Sequence, residues 1–304
     1  MATAVTPPAG SERGSIAPAS VRLGFRLGAS VLELDVADED ARRLLEHAYS
    51  PLACPPTGAR VHASLRRLSD GGLHVRYGRH ALRMANAADP VPIRAAYHAA
   101  REIFARFAAE RPRSIAFYGA LCAIESGAVL VLGPTTVGKT LLALHMARSG
   151  ARFLGDETAL LSLATGEAYA MPRLPALRES ALPLLPDPAM AKAIAESEHF
   201  FATERGRFWY ALDGDALGIE PNARPYTLRA ICVLSARADA PSLRRMEPAD
   251  GVQLLAQRAY VRPTTLAELS ALRRATRHAA FFEMTLGDPN ESSALLLREV
   301  RACA

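Results

Sequence analysis

The chain reads as an α/β protein whose phosphate-binding core follows an N-terminal α+β module. Three observations predict this. An apolar run, Ala128 to Leu132, opens directly into the glycine-bounded loop Gly133-Pro134-Thr135-Thr136-Val137-Gly138-Lys139-Thr140, and an apolar-sided segment follows it. Before residue 110 the pattern is mainly one of short strand-like runs broken by a single helix. The composition, 50% hydrophobic and 22% charged over 304 residues, suits one large or two modest globular domains and excludes a disordered, collagen-like or disulfide-scaffold chain.

The charge balance points away from dedicated nucleic-acid binding. The formal net charge is +5, with 36 basic residues against 31 acids, and the arginines alternate with acids along the chain rather than forming a run. Only Lys139 and Lys192 are lysines. Cys54, Cys122, Cys232 and Cys303 are widely separated, which fits reduced thiols in a cytoplasmic protein better than a zinc site. Residues 1–20 are rich in Pro, Gly, Ser and Ala and read as a disordered leader with no signal-peptide core. No stretch reaches the roughly 20 apolar residues of a membrane span, so no membrane partner is expected.

The N-terminal module is assigned to residues 21–110. VRLGFRL, ARVHASLRRL, GLHVRYG and HALRMA read as strands, with Gly71 and Gly72 as a hairpin connection. A helix is predicted from about Asp38 to Tyr49, because acids favour its start and Ser50-Pro51 stops it. Pro90 and Pro92 lead into a second helix, where Ile93, Tyr97, Ala100, Phe104 and Phe107 recur at helical spacing. The boundary falls near Arg111 to Arg113.

Residues 111–304 form the second unit. IAFYGALCAIES and GAVLVLGP read as strands, residues 138–148 as a helix ended by Gly150, and RFLGD and TALLSLA as further strands. A proline-rich stretch spans Met171 to Pro188, RAICVLS is a later strand, and helices are expected over 249–257 and 266–275. AFFEMTL closes the sheet, and a terminal helix starts after Asn290.

The loop at 133–140 satisfies the GxxxxGK[ST] pattern in full. Its glycines let successive backbone N–H groups converge on a phosphate, and the helix behind it directs its positive end at the same anion. Lys139 is placed to reach the β- and γ-phosphates, and Thr140 to bind Mg²⁺, so ATP and Mg²⁺ are the expected cofactors. Phosphoryl transfer also needs an acidic group, and Asp156-Glu157 follows the short strand Arg152 to Leu154 with a single helix between it and the loop. That spacing predicts a strand beside the loop strand or nearly so, with Asp156 and Glu157 near the phosphates.

Other candidates carry a plainer alternative. Arg173, Arg178, Arg205 and Arg207 lie in segments that would face a substrate, yet in an arginine-rich chain each reads first as a surface residue. His199, beside two phenylalanines, reads as a structural histidine before an acid or base. Trp209 and Tyr210 read as core packing before a peptide groove.

The unit Tyr118-Gly119, the stretch GAVLVLGPTTVGKTLLALHMARSGARFLGDETALL and, more diffusely, MPRLPALRES resemble the HPr kinase/phosphorylase superfamily. The likeness is strongest to the HPr-kinase-related proteins that modify lasso-peptide precursors. The resemblance implies a P-loop kinase core of HPr-kinase/PEP-carboxykinase-like type. It implies an ATP-dependent kinase whose acceptor is a Ser or Thr of a small protein or ribosomally made precursor peptide. Gly133, Gly138, Lys139 and Thr140 would then hold phosphate and metal, Asp156 would act as general base or metal ligand, and Glu157 would take the second acid's place. A homo-oligomer is implied as well, though the residues mark no seam. Tyr118 stands where the family often has His, so reverse phosphorylase chemistry is not expected. Two other readings stay open: a nucleotide-binding regulator or scaffold that transfers nothing, and a small-molecule kinase.

Overall fold

The structure, a computed structural model, describes residues 20–27, 30–58, 61–68, 73–84, 92–109, 113–125, 127–196, 200–203, 206–210, 224–260 and 265–303. The 1–20 leader, apart from Ser20, therefore lies outside the described residues, as do Gly71, Gly72, Pro90, His199 and Arg205.

The first unit is a six-stranded sheet in the order β3-β1-β2-β4-β5-β6. Its strands are β1 (Val21–Leu27), β2 (Ser30–Val36), β3 (Ala53–Cys54), β4 (Val61–Arg67), β5 (Leu73–Tyr77) and β6 (His80–Met84). Helix α1 (Glu39–Ala48) makes the crossover that lets β2 and β4 run parallel, while the other neighbours are antiparallel. Asp38 caps α1 by accepting from the Ala41 N–H at 2.9 Å, with Glu39 and Asp40 in the first turn. The strand residues alternate: Leu32, Leu34, Leu65, Leu73 and Val75 are buried with α1 and α2 (Pro92–Ala109). Ala100, Phe104 and Phe107 of α2 enter this core, and Phe104 stacks on Tyr49 with ring centroids 3.8 Å apart.

The second unit is built on a mixed sheet in the order β11-β10-β7-β8-β15-β17-β16. These strands are β7 (Ser114–Ile124), β8 (Gly127–Leu132), β9 (Arg152–Gly155), β10 (Thr158–Ser162), β11 (Glu167–Ala170), β15 (Tyr226–Arg237), β16 (Ser242–Arg245) and β17 (Ala280–Leu286). β8, β15 and β17 run parallel, and β7 is antiparallel to β8. Both faces of these strands are covered, which explains their near-continuous apolar runs. Val129, Val131, Cys232 and Met284 face α3 (Lys139–Arg148) and α7 (Pro289–Ala302), whereas Leu130, Leu132, Ile231 and Phe281 face α5 (Pro248–Arg258) and α6 (Leu266–Ala275). β11 also pairs with the start of β15, so β15, β8, β7, β10 and β11 close into a ring.

The proline-rich stretch folds into a short strand, β12 (Ala176–Arg178), a six-residue 3₁₀ segment (Glu179–Leu184) and the start of α4 (Pro188–Ala195). β12 joins β13 (Phe200–Thr203) and β14 (Gly206–Tyr210) in a small antiparallel sheet. Arg207, Trp209 and Tyr210 sit on β14, and their side chains lie outside the description. The terminal helix starts at Pro289 rather than after Asn290, because Asp288 caps it by accepting from the Asn290 and Glu291 N–H groups.

Candidate functional site

The loop leaves the end of β8 and enters α3 without a side-chain cap, since its N-cap is Gly138. Gly138 has φ 120° and Gly133 φ 152°, both in the region that a side chain disfavours. Thr136 also has positive φ, 73°, a strained setting for a β-branched residue at the loop tip. Pro134, Thr135 and Thr136 are exposed, Val137, Gly138 and Thr140 half-buried, and Gly133 and Lys139 buried.

Lys139 turns back over its own loop. Its Nζ donates to the carbonyls of Gly133 at 3.1 Å and Pro134 at 2.8 Å, and lies 4.3 Å from the centroid of the Tyr118 ring. Burial pushes its ammonium down to about 8, and the Asp156 and Glu157 carboxylates hold it from falling further. Tyr118, from β7, thus occupies the lysine's flank; burial, and then Glu157 and Asp156, raise its phenol above the ordinary range.

The acid pair reaches the site from the far side of β7. β9 and β10 both pair antiparallel with β7, not with the loop strand β8, with Gly155 opposite Leu121 and Thr158 opposite Tyr118. Asp156 and Glu157 therefore form the short break in one continuous partner of β7, one strand away from the loop strand. The Glu157 carbonyl accepts from the Gly119 N–H at 3.3 Å and from the Tyr260 hydroxyl at 3.4 Å. Tyr260, absent from the sequence candidates, follows Ala259, which is bridged to Phe117.

The site brings the predicted residues together. The Thr140 hydroxyl donates to Asp156 Oδ2 at 2.8 Å. Arg173 overturns its reading as a surface residue: one guanidinium nitrogen donates to Asp156 Oδ1 at 3.0 Å, and another lies 3.0 Å from Glu157 Oε2. Arg173 is 4% exposed and the two acids 5% each, so all three charges are withdrawn from water and are held as one unit. Arg178 is half-buried on β12. The residues around Arg173 in the sequence carry no signal for its burial; the acids it faces come from another strand.

A second arginine reaches the loop from outside. Arg237, at the end of β15, donates from Nε to the Val137 carbonyl at 3.0 Å. The oxygen donors of Thr140, Asp156 and Glu157 suit a hard cation such as Mg²⁺, which needs few protein ligands when phosphates supply the rest. The uncapped start of α3 suits an anion. No cluster of three or more His, Cys, Asp or Glu groups suited to a metal occurs among the described residues. No helix among them is long and apolar enough to cross a membrane.

No protein-family model matches the chain, and no curated protein matches it. Among solved structures it is similar to the HPr(Ser) kinase/phosphatase from Coxiella burnetii, at 13% identity over 62% of this chain and 96% of that one, with a TM-score of 0.30.

Proposed function

We propose that this chain is an ATP-dependent kinase that transfers the γ-phosphate to a Ser or Thr hydroxyl of a small protein or ribosomally made peptide. The observation that carries the reading is the 2.8 Å contact between Thr140 and Asp156, which sets the metal-binding hydroxyl of a complete phosphate-loop pattern against an acid. Thr140, Asp156 and Glu157 are the residues that would hold Mg²⁺, and Gly133 to Thr140 those that would hold ATP.

Bound MgATP supplies the phosphoryl group and the metal charge that the transfer needs. Lys139 contributes a cation at the loop, and the α3 terminus adds its dipole. Asp156 accepts the proton of the attacking hydroxyl, while Arg173 keeps that carboxylate oriented. Tyr118 packs on Lys139 and shields it from water.

The test is incubation with MgATP and a serine-containing peptide library, read by intact mass with Asp156→Asn as control. A gain of about 80 Da per phosphate that the variant loses supports the reading. Tight ATP binding with no transfer to any peptide or small hydroxyl compound sinks it. The same result would favour the second reading, a nucleotide-binding regulator, for which the engagement of both carboxylates by Arg173 is the supporting observation.

A further inference from the structure

The N-terminal sheet has one face against α1 and α2 and one face turned away from them, and the outward residues of its β4-β5-β6 half are basic. β4 contributes Ser64 and Arg66, β5 His74 and Arg76, and β6 Ala81, alternating with the buried Ala63, Leu65, Leu73 and Val75. The register sets Arg66 opposite His74 and His74 opposite Arg83, while Ser64, Arg76 and Ala81 form the adjoining row. Arg66 thus lies opposite His74, and Arg76 lies two residues further along the same face of His74's own strand. Such neighbours interact directly, and like charges in them are unfavourable. Burial, followed by the charges of Arg66 and Arg76, lowers the His74 imidazole from its ordinary range.

The acids of the same face lie on β2 and are engaged elsewhere. Asp35 accepts from Arg22 Nε at 2.7 Å, and Glu33 accepts the N–H groups of Thr57 and Gly58 at 2.8 and 2.6 Å. Arg66 and Arg76 are exposed, and among the described residues neither they nor His74 have an acidic partner; Arg76 donates only to the Gly78 carbonyl at 3.3 Å. Arg66 and Arg76 are thus exposed like charges on one face, and an anionic ligand would relieve their repulsion.

We propose that the outward face of β4-β5-β6 is a docking surface for an acidic peptide segment of a partner protein, recognised through Arg66 and Arg76. Three strands span about 10 Å, and an extended peptide repeats its same-face side chains at about 7 Å, so two or three carboxylates can meet the row. The outward positions Ser64, Arg66, His74, Arg76 and Ala81 include no Phe, Tyr or Trp and a single imidazole, a sparse stacking platform for the bases of single-stranded nucleic acid. The surface is independent of the phosphate loop.

The experiment is fluorescence anisotropy of the full chain with a fluorescein-labelled peptide of alternating glutamate and glycine, without nucleotide. The glutamine counterpart and an oligothymidylate of equal charge are run beside it. Binding of the glutamate peptide, weakened about tenfold by raising salt from dilute to physiological strength, is expected. It should be lost in Arg66→Ser/Arg76→Ser and kept in Lys139→Ala. The double variant should melt no lower than the parent, because it removes like-charge neighbours, and this separates lost binding from lost folding. Unchanged binding in the double variant, equal binding of the glutamine peptide, or tighter binding of the oligothymidylate would each overturn the proposal. None of these results depends on phosphotransfer, so the kinase reading stands or falls separately.

Discussion

Arg173 donates to Asp156 at 3.0 Å in a setting where both side chains are almost completely shielded from solvent. The same guanidinium meets Glu157, so one cation compensates two buried carboxylates. Removing that cation leaves charges without compensation, which is the costly way to break a buried pair.

Arg173→Ala should therefore lower stability by about 3–5 kcal/mol, read from urea unfolding. Adding Asp156→Asn and Glu157→Gln should recover a large part of that loss, because the uncompensated charges go with them. Additive losses across the three substitutions would show that Arg173 acts by packing instead.

Asp156→Asn and Glu157→Gln should differ in kind. Asp156 touches Thr140 and is the proposed proton acceptor, so its amide variant should lower phosphotransfer roughly 10²–10⁴-fold while ATP affinity changes little. Glu157 meets Arg173 with its carboxylate and is placed for the metal rather than for the proton, so its variant should raise the Mg²⁺ concentration needed for half-maximal transfer while keeping most of the rate at saturating Mg²⁺. Single-turnover assays beside ATP titrations decide this, and equal losses would reassign the base.

Lys139, held near 8 by burial, gives a pH signature. Nucleotide affinity should bend downward as pH rises past about 8, where the free protein loses the ammonium. Lys139→Arg, which stays protonated, should show no bend. Stability of the nucleotide-free chain should run the other way. Between about 8 and the ordinary lysine value of 10.5 the unfolded chain holds more protons, so the contribution from Lys139 rises with pH.

Thr136→Gly tests the strained loop tip. At φ 73° a β-branched residue pays a conformational cost that glycine avoids, offset in part by glycine's freedom in the unfolded chain. A rise in stability of about 0.5–1 kcal/mol by thermal melting is expected, with ATP affinity kept because the backbone amide remains.

The parts legible in the sequence were those with local signals. The loop pattern, the apolar strand before it and the helix after it are all written in consecutive residues, and α1, α6 and β17 carried their own caps or alternation. β2 was not singled out although Leu32, Leu34 and Val36 alternate with Glu33 and Asp35, because its central place depends on a crossover to β4. β12 was hidden by prolines that read as a loop, and its partner β14 lies far along the chain. The partner of β9 is open for the same reason: spacing places Asp156 near the loop without deciding whether its strand lies directly beside β8 or with β7 between. Arg173 looked like any other arginine until two acids from another strand faced it.

Next to Arg173, the Leu174 N–H donates to the carbonyl of Ala48, the last residue of α1, at 2.8 Å, and the Met171 N–H donates to Thr158 at 2.9 Å. The segment that carries the guanidinium is thus moored at one end to the sheet of the acids and at the other to the N-terminal unit. The N-terminal unit, through α1, acts as part of the anvil against which the acid pair is set, and slow hydrogen exchange at the Leu174 amide would register that mooring.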